Sequence, residues 1–497
     1  MKKKVLSMAL VSTFAVVTLA SCNKGSTVSI PEVNVLSYDE IKDKQITISF
    51  WHSFGAEPTK ALTAQVEAFQ KEYPNIKVNL ESKGGYDNLK KAVTMEIPTG
   101  NTPDVVLGYP DHFAEYLAGG IQVPLDEYMN STDPEIGIGE GAHNAKNDFF
   151  DNYMVENRQY VDNLTFGLPF NKSTELAFYN KTVFDEFDIK VPTTWQELEA
   201  TAKALKDKVA PHYGKVYTNK ETGVTLDFTN VTADNLRPIS YDSMANAFIT
   251  LVRDYGGTYT EVGESFEEGF IKFDSQETRN ALNMVKSMGD KGLLGIPESW
   301  EVQYCSDVFK NLQSFYTIGS SAGSYHNLPD GDKFEVAAAP IPYFSENGKE
   351  VKSVIQQGTN IAMLANNTDE ERMAAWLLIR YLTAFQDEET GYDPNAEFAI
   401  GASYLPVRQS GVESNVYSEF LAAADSPDLT SKDRIIIAAA KKATEYDSSW
   451  NKFTDPAFIG SSTVRATAET IIPSIIVAKQ DIDTVIKNAY NQLPAYQ

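Results

Sequence analysis

Arg465, in the stretch Ser462-Thr463-Val464-Arg465-Ala466, is the most informative charge in this sequence. A guanidinium donates in a planar fork that suits phosphate or carboxylate, and at a neutral-sugar site it bonds vicinal hydroxyls. In a chain with 68 acidic residues it is equally at home in a salt bridge or on a solvated helix. Trp51, Tyr86 and Tyr404 offer flat apolar faces to the C–H side of a sugar or glycerol moiety, and the tyrosines add a polar handle. Core packing is the ordinary alternative for each, although Tyr86 follows Gly84-Gly85 and so belongs to an exposed loop. Ser173, Ser320, Ser321 and Ser324 supply short donors and acceptors, while Gly323 and Gly358 would let backbone amides approach a ligand closely. Turns and helix caps account for serine and glycine equally well. Asp111 and Glu57 could accept hydrogen bonds from ligand hydroxyls, or simply be surface carboxylates.

Catalytic patterns are missing. There is no GxSxG elbow, no HExxH and no GxxxxGKS phosphate loop, and His52, His112, His143, His212 and His326 lack zinc-ligand spacing. A secreted glycoside hydrolase is the enzyme rival. It needs two carboxylates, about 5–5.5 Å apart for retention or about 6.5–9.5 Å for inversion, and no segment marks such a pair. The expectation is no enzyme, no cofactor and no metal. Cys305 has no evident base partner and reads as a buried, inert thiol. The formal net charge is −25, or −28 once residues 1–21 with Lys2, Lys3 and Lys4 are removed. Such acidity repels phosphate backbones, which argues against nucleic-acid binding.

The N-terminus carries an address. Lys2–Lys4 form a positive region, Val5–Leu19 an apolar stretch too short to span a membrane comfortably, and Leu19-Ala20-Ser21-Cys22 resembles a bacterial lipobox. Cys22 would be lipidated and become the first mature residue, anchoring the chain to the membrane; more than one acyl chain makes such an anchor durable. Residues 22–44 are polar and read as a tether.

The body must then position the residues above. At 497 residues it is too long for one core, which predicts two lobes. Ile46, Ile48 and Phe50 alternate as a strand; Leu62, Val66, Phe69 and Tyr73 share a helical face; Ile76, Val78 and Leu80 alternate again. A helix at 86–97 and a buried strand at 104–107 follow. Thr194 with Glu197 is a capping box for a helix bearing Trp195, Leu198, Ala202 and Leu205. Further helices are predicted at 242–255, 275–290, 369–384, 430–447 and 462–490, while 211–240 has no assignable pattern. Strands alternating with helices imply α/β lobes with mostly parallel sheets.

Several segments together resemble the family 1 extracellular solute-binding proteins of bacterial ABC importers, which bind sugars and glycerol phosphate. They are ISFWHSFGAE, EAFQKEYPNIKV (67–78), TPDVV (102–106), LPFNKSTELAFYNK (168–181), PTTWQELEATAKAL (192–205), IGSSAGSY (318–325), QQGTNIAM (356–363) and SYLPVR (403–408). Their order and spacing carry the resemblance over about 45–490. It implies a two-lobed, type II periplasmic-binding-protein-like fold with a hinged cleft. One lobe would hold 45–168 plus 344–395, the other 169–343 plus 396–497. It also implies a monomer that delivers its solute to permease subunits at the extracellular face of the cytoplasmic membrane. The glycerol-3-phosphate-binding members imply a site of Tyr86, Ser173, Ser320 or Ser321, Gly358, Tyr404 and Arg465. Where those members carry an acidic residue after a tyrosine, this chain reads Tyr109-Pro110-Asp111, so Asp111 serves only if the loop shifts by one residue. Trp51 joins these as an aromatic platform. The expected ligand is a mono- or oligosaccharide, with glycerol-3-phosphate or a glycerophosphodiester as the alternative.

Overall fold

A computed structural model describes residues 28–139, 145–365, 367–387 and 389–497. The signal segment and Cys22 lie outside the described residues. Two separate hydrophobic cores organise the chain. In the first, the strands Ile46–His52, Ile76–Ser82 and Val105–Gly108 pair in parallel, with Ile46 opposite Ile76 and Phe50 opposite Val105. The alternation of Ile46, Ile48 and Phe50 buries one face of the leading strand. The helix Ala56–Glu72 covers the sheet through Leu62, Val66 and Phe69. Asn360–Met363 and Leu168–Pro169 complete a five-stranded sheet, both antiparallel to their neighbours.

The second sheet has seven strands, centred on Ser173–Asn180, which pairs antiparallel with Tyr316–Ser320 and Val336–Ala339. Both sheets are therefore mixed rather than mostly parallel. The reason is that strands near the crossings return from the other lobe and enter the sheet from its opposite end. The helix Trp195–Val209 begins with the anticipated capping box: Glu197 N donates to Thr194 Oγ1 at 3.2 Å and Thr194 N to Glu197 Oε2 at 3.3 Å. In the unassigned region lie a short hairpin, Val216–Thr218 with Thr225–Asp227, and the strand Ile239–Tyr241. The single helix expected at 462–490 is instead three: Ser461–Glu469, Ile471–Ile476 and Ile482–Gln492. Pro473 lacks an N–H and crowds the preceding turn, and Asp481 caps the last piece through Thr484 N.

The described part of the expected tether, 28–44, does not hang free. Ile41 is fully buried, Tyr38 meets Tyr73 edge-on at 5.3 Å, and Arg372 Nη1 donates to Glu32 O at 2.9 Å. Polarity concealed the apolar positions Val28, Ile30, Val33, Val35 and Leu36, which pack on the first core. The division of the chain also differs from expectation. Phe344–Glu346, Lys349–Val351 and Ser353–Gln357 stay with the second lobe, so the chain returns to the first at Gly358-Thr359. Helix Pro394–Ala402 packs against Ala56–Glu72, and Val407 still belongs to the first core.

Gly358 explains why the return passes there. Its φ is +93°, and a Cβ would lie 1.8 Å from the carbonyl oxygen of Asn171 on the neighbouring crossing. Only glycine admits this approach. Gly358→Ala should cost at least about 2 kcal/mol of stability, seen as a lower urea midpoint with an unchanged slope.

Candidate functional site

Between the lobes lies a cavity of about 500 Å³. The first lobe contributes two helix starts. Gly84 and Gly85, with φ of +74° and +122°, turn the chain sharply into helix Tyr86–Glu96 and set Tyr86 at its first position. Pro110, pre-organised for a first helical position, opens helix Pro110–Ala118 and holds Tyr109 before it and Asp111 after it. The rings of Tyr86 and Tyr109 meet at 4.9 Å and 61°. Burial and the neighbouring Tyr86 phenol push the Tyr109 hydroxyl well above the ordinary tyrosine range.

The second lobe contributes Asn246 from helix Met244–Asp254, Tyr304, Asp455, and Arg465 from helix Ser461–Glu469. Arg465 Nη1 donates to Asp455 Oδ2 and Nη2 to Asn246 Oδ1. Behind them, Asn246 Nδ2 donates to Glu175 Oε1 at 3.0 Å and Tyr241 Oη to Glu175 Oε2 at 2.6 Å. Burial pushes the Glu175 carboxyl up to about 7, against those hydrogen bonds, which pull it down.

The cavity reaches the crossing segments through Glu156, Gln356 and Gly358. Here Lys172 and Glu156, 0% and 2% exposed, form an ion pair at 2.6 Å. Asn360 Nδ2 donates to Glu156 Oε2 at 3.1 Å, Gln356 Nε2 to Oε1, and Lys172 Nζ to Gly358 O at 3.3 Å. Burial holds the Lys172 ammonium below the ordinary lysine range even though Glu156 supports its charge.

Of the residues put forward from the sequence, Tyr86, Asp111, Gly358 and Arg465 line this cavity. Tyr404 stands just behind it, parallel to Phe398 at 6.0 Å, its hydroxyl raised by burial and by the adjacent Tyr86 phenol. Ser320 Oγ donates to Ser173 Oγ at 3.4 Å, and Ser321 Oγ accepts from Thr174 N at 3.2 Å. Trp51 is not among the residues that line the cavity, and Lys83 Nζ lies 3.4 Å from its ring centre. Glu57 pairs with Lys432 on the surface. Tyr109, Asn246, Tyr304 and Asp455 were not foreseen. Only Tyr109, beside Pro110-Asp111, left a sequence signal. Among the described residues no group of His, Cys, Asp and Glu is placed to hold a metal, and Cys305 is buried.

A profile described as bacterial extracellular solute-binding protein matches residues 64–424. The chain belongs to that family. This solute-binding protein is 24% identical over 383 residues to the sn-glycerol-3-phosphate-binding periplasmic protein UgpB of Escherichia coli K12, covering 73% of this chain and 77% of that one. Its fold is that of periplasmic binding proteins. It is similar to Lmo0181 from Listeria monocytogenes, solved in complex with cycloalternan (TM-score 0.66, 18% identity, 90% of this chain and 98% of that one). It is likewise similar to UgpB from Mycobacterium tuberculosis, solved in complex with glycerophosphocholine (TM-score 0.65, 17% identity, 90% and 98%). As a member of this family it binds solutes and is not an enzyme.

Two measurements probe the buried charges. Unfolded, the Glu175 carboxyl loses its proton near 4.5; folded, near 7. The native state thus binds more protons across that window, and stability falls as pH rises through it, by roughly 3 kcal/mol from this group. Glu175→Gln should flatten the decline of Tm between about pH 4.5 and pH 7. Some slope should persist, because burial raises Asp242 and Asp254 in the same sense. Lys172→Met should cost about 3–5 kcal/mol by leaving Glu156 buried and unpaired. Adding Glu156→Gln should restore much of the loss in denaturant titration.

Proposed function

We propose that this solute-binding protein captures a carbohydrate in the interlobe cavity and delivers it to an ABC permease, tethered to the membrane through a lipid on Cys22. The supporting observation is electrostatic. Arg465, the only lysine or arginine lining the cavity among the described residues, is already held by Asp455 and Asn246. Asp87, Asp111 and Glu469 line the same space with no ion-pair partner among the described residues. A neutral polyol meets a surplus of acceptors there, whereas a phosphate meets net negative charge. Tyr86, Tyr109 and the 53%-exposed Tyr304 supply apolar faces for sugar C–H groups. The volume falls in the ordinary range for small-ligand sites. Closure of the two lobes around the solute would complete its contacts and present both lobes to the permease.

A glycerophosphodiester is the second reading. Its single phosphate charge could reach Arg465 while a cationic headgroup, as in glycerophosphocholine, lies against Asp87, Glu469 and the tyrosines.

A thermal-shift panel of monosaccharides, oligosaccharides, glycerol-3-phosphate and glycerophosphocholine separates these. A saccharide present at 100 times its Kd should stabilise the protein by about 2.7 kcal/mol, which raises Tm by several degrees. Tyr86→Ala should weaken that ligand at least tenfold without lowering the unliganded Tm. Stabilisation by phosphate-bearing ligands alone would defeat the carbohydrate reading.

A further inference from the structure

Beside Arg465 the cavity continues into a small recess with Asp111, Asp455 and Arg465 in its wall, together with Tyr259, Thr260 and Ser461. The volume of the recess is about 10 Å³, room for a single water-sized group. Tyr259 and Thr260 are 2% and 5% exposed. The Tyr259 hydroxyl, Thr260 Oγ1 and Asp455 Oδ1 are buried and have no hydrogen-bond partner among the described residues. Polar atoms so enclosed cost free energy unless something pairs with them.

We propose that this recess is a subsite for one uncharged hydroxyl of the ligand, and that Asp455 is the residue that sets its specificity. This deepens the carbohydrate reading and rests on it for the identity of the ligand. A ligand hydroxyl donates to Asp455 Oδ1 and, with its two lone pairs, accepts from the Tyr259 and Thr260 hydroxyls, which pairs all three. A phosphoryl group brings three peripheral oxygens, too many for the space, and the Arg465 guanidinium is the cationic partner that the described lining offers it. Two of its five N–H donors are already engaged, Nη1 by Asp455 Oδ2 and Nη2 by Asn246 Oδ1, and the Asp455 carboxylate pairs with its charge. Asp455 therefore pairs with the one lysine or arginine that lines the site among the described residues, and its charge together with that of Asp111 repels an anion. Discrimination here comes from a built-in repulsive element as much as from attraction.

Calorimetric titration of the mature protein with glycerol-3-phosphate tests this. Wild type should show no binding at millimolar ligand. Asp455→Asn should gain at least tenfold in affinity, with a response that weakens in salt. The double variant Asp455→Asn/Arg465→Gln should lose that gain. Asp455→Ser serves as a second neutral replacement if the amide variant melts below the assay temperature. A folded neutral variant that gains nothing would overturn the assignment, as would micromolar binding by wild type. The carbohydrate reading fails separately: if no saccharide stabilises wild type, the phosphate gain at Asp455 still stands or falls by its own result.

Discussion

Lys172 has no exposure to water and lies where the chain passes from one core to the other. Its ammonium survives there because Glu156 sits 2.6 Å away and because Glu156 is in turn bonded by Gln356 and Asn360 of the returning segment. This pairing fixes one crossing against the other. Gly358, between Gln356 and Asn360, must run so close to Asn171 that no side chain is admitted. Glu156 also lines the cavity, so the groups that join the lobes are partly the groups that form its floor. A buried pair contributes little net stability against an apolar substitute, but losing one partner is expensive. The crossing geometry is thus specified more than it is strengthened.

The same economy of charge governs the cleft. Its acidic groups outnumber its cations, and the guanidinium that a fold-level comparison would mark as an anion clamp is bound by a neighbouring carboxylate. Relatives with this fold were solved with cycloalternan and with glycerophosphocholine. The fold supplies two lobes and a cleft; the side chains that line it decide the cargo. In this chain Tyr86 and Tyr109 come from helix starts in the first lobe, and Asn246 and Arg465 from helices of the second.

Much of the architecture was legible because it is local. Apolar spacing located the helices over 56–72, 244–254, 276–290 and 369–383, and the pair Thr194/Glu197 marked a helix start through bonds only three residues long. Failures occurred where local rules conflict or fall silent. Pro473 divided an otherwise continuous helical pattern. The polar look of 28–44 concealed hydrophobes that matter only when a surface is offered to them. Strand direction within each sheet depends on which lobe a strand returns from, and no periodicity records that.

The candidate site divides in the same way. The sequence by itself determined the compositional class and most of the elements, and it marked Tyr86, Asp111, Gly358 and Arg465 as candidates through residue type and the order and spacing of family-like segments taken together. Only the tertiary structure decided what those residues are free to do. Arg465 meets Asp455 across 10 positions and Asn246 across 219, while Ser173 and Ser320, 147 apart, meet hydroxyl to hydroxyl. Whether a charge is available or spent depends on partners within a few ångströms, and at such separations along the chain only folding brings those partners together.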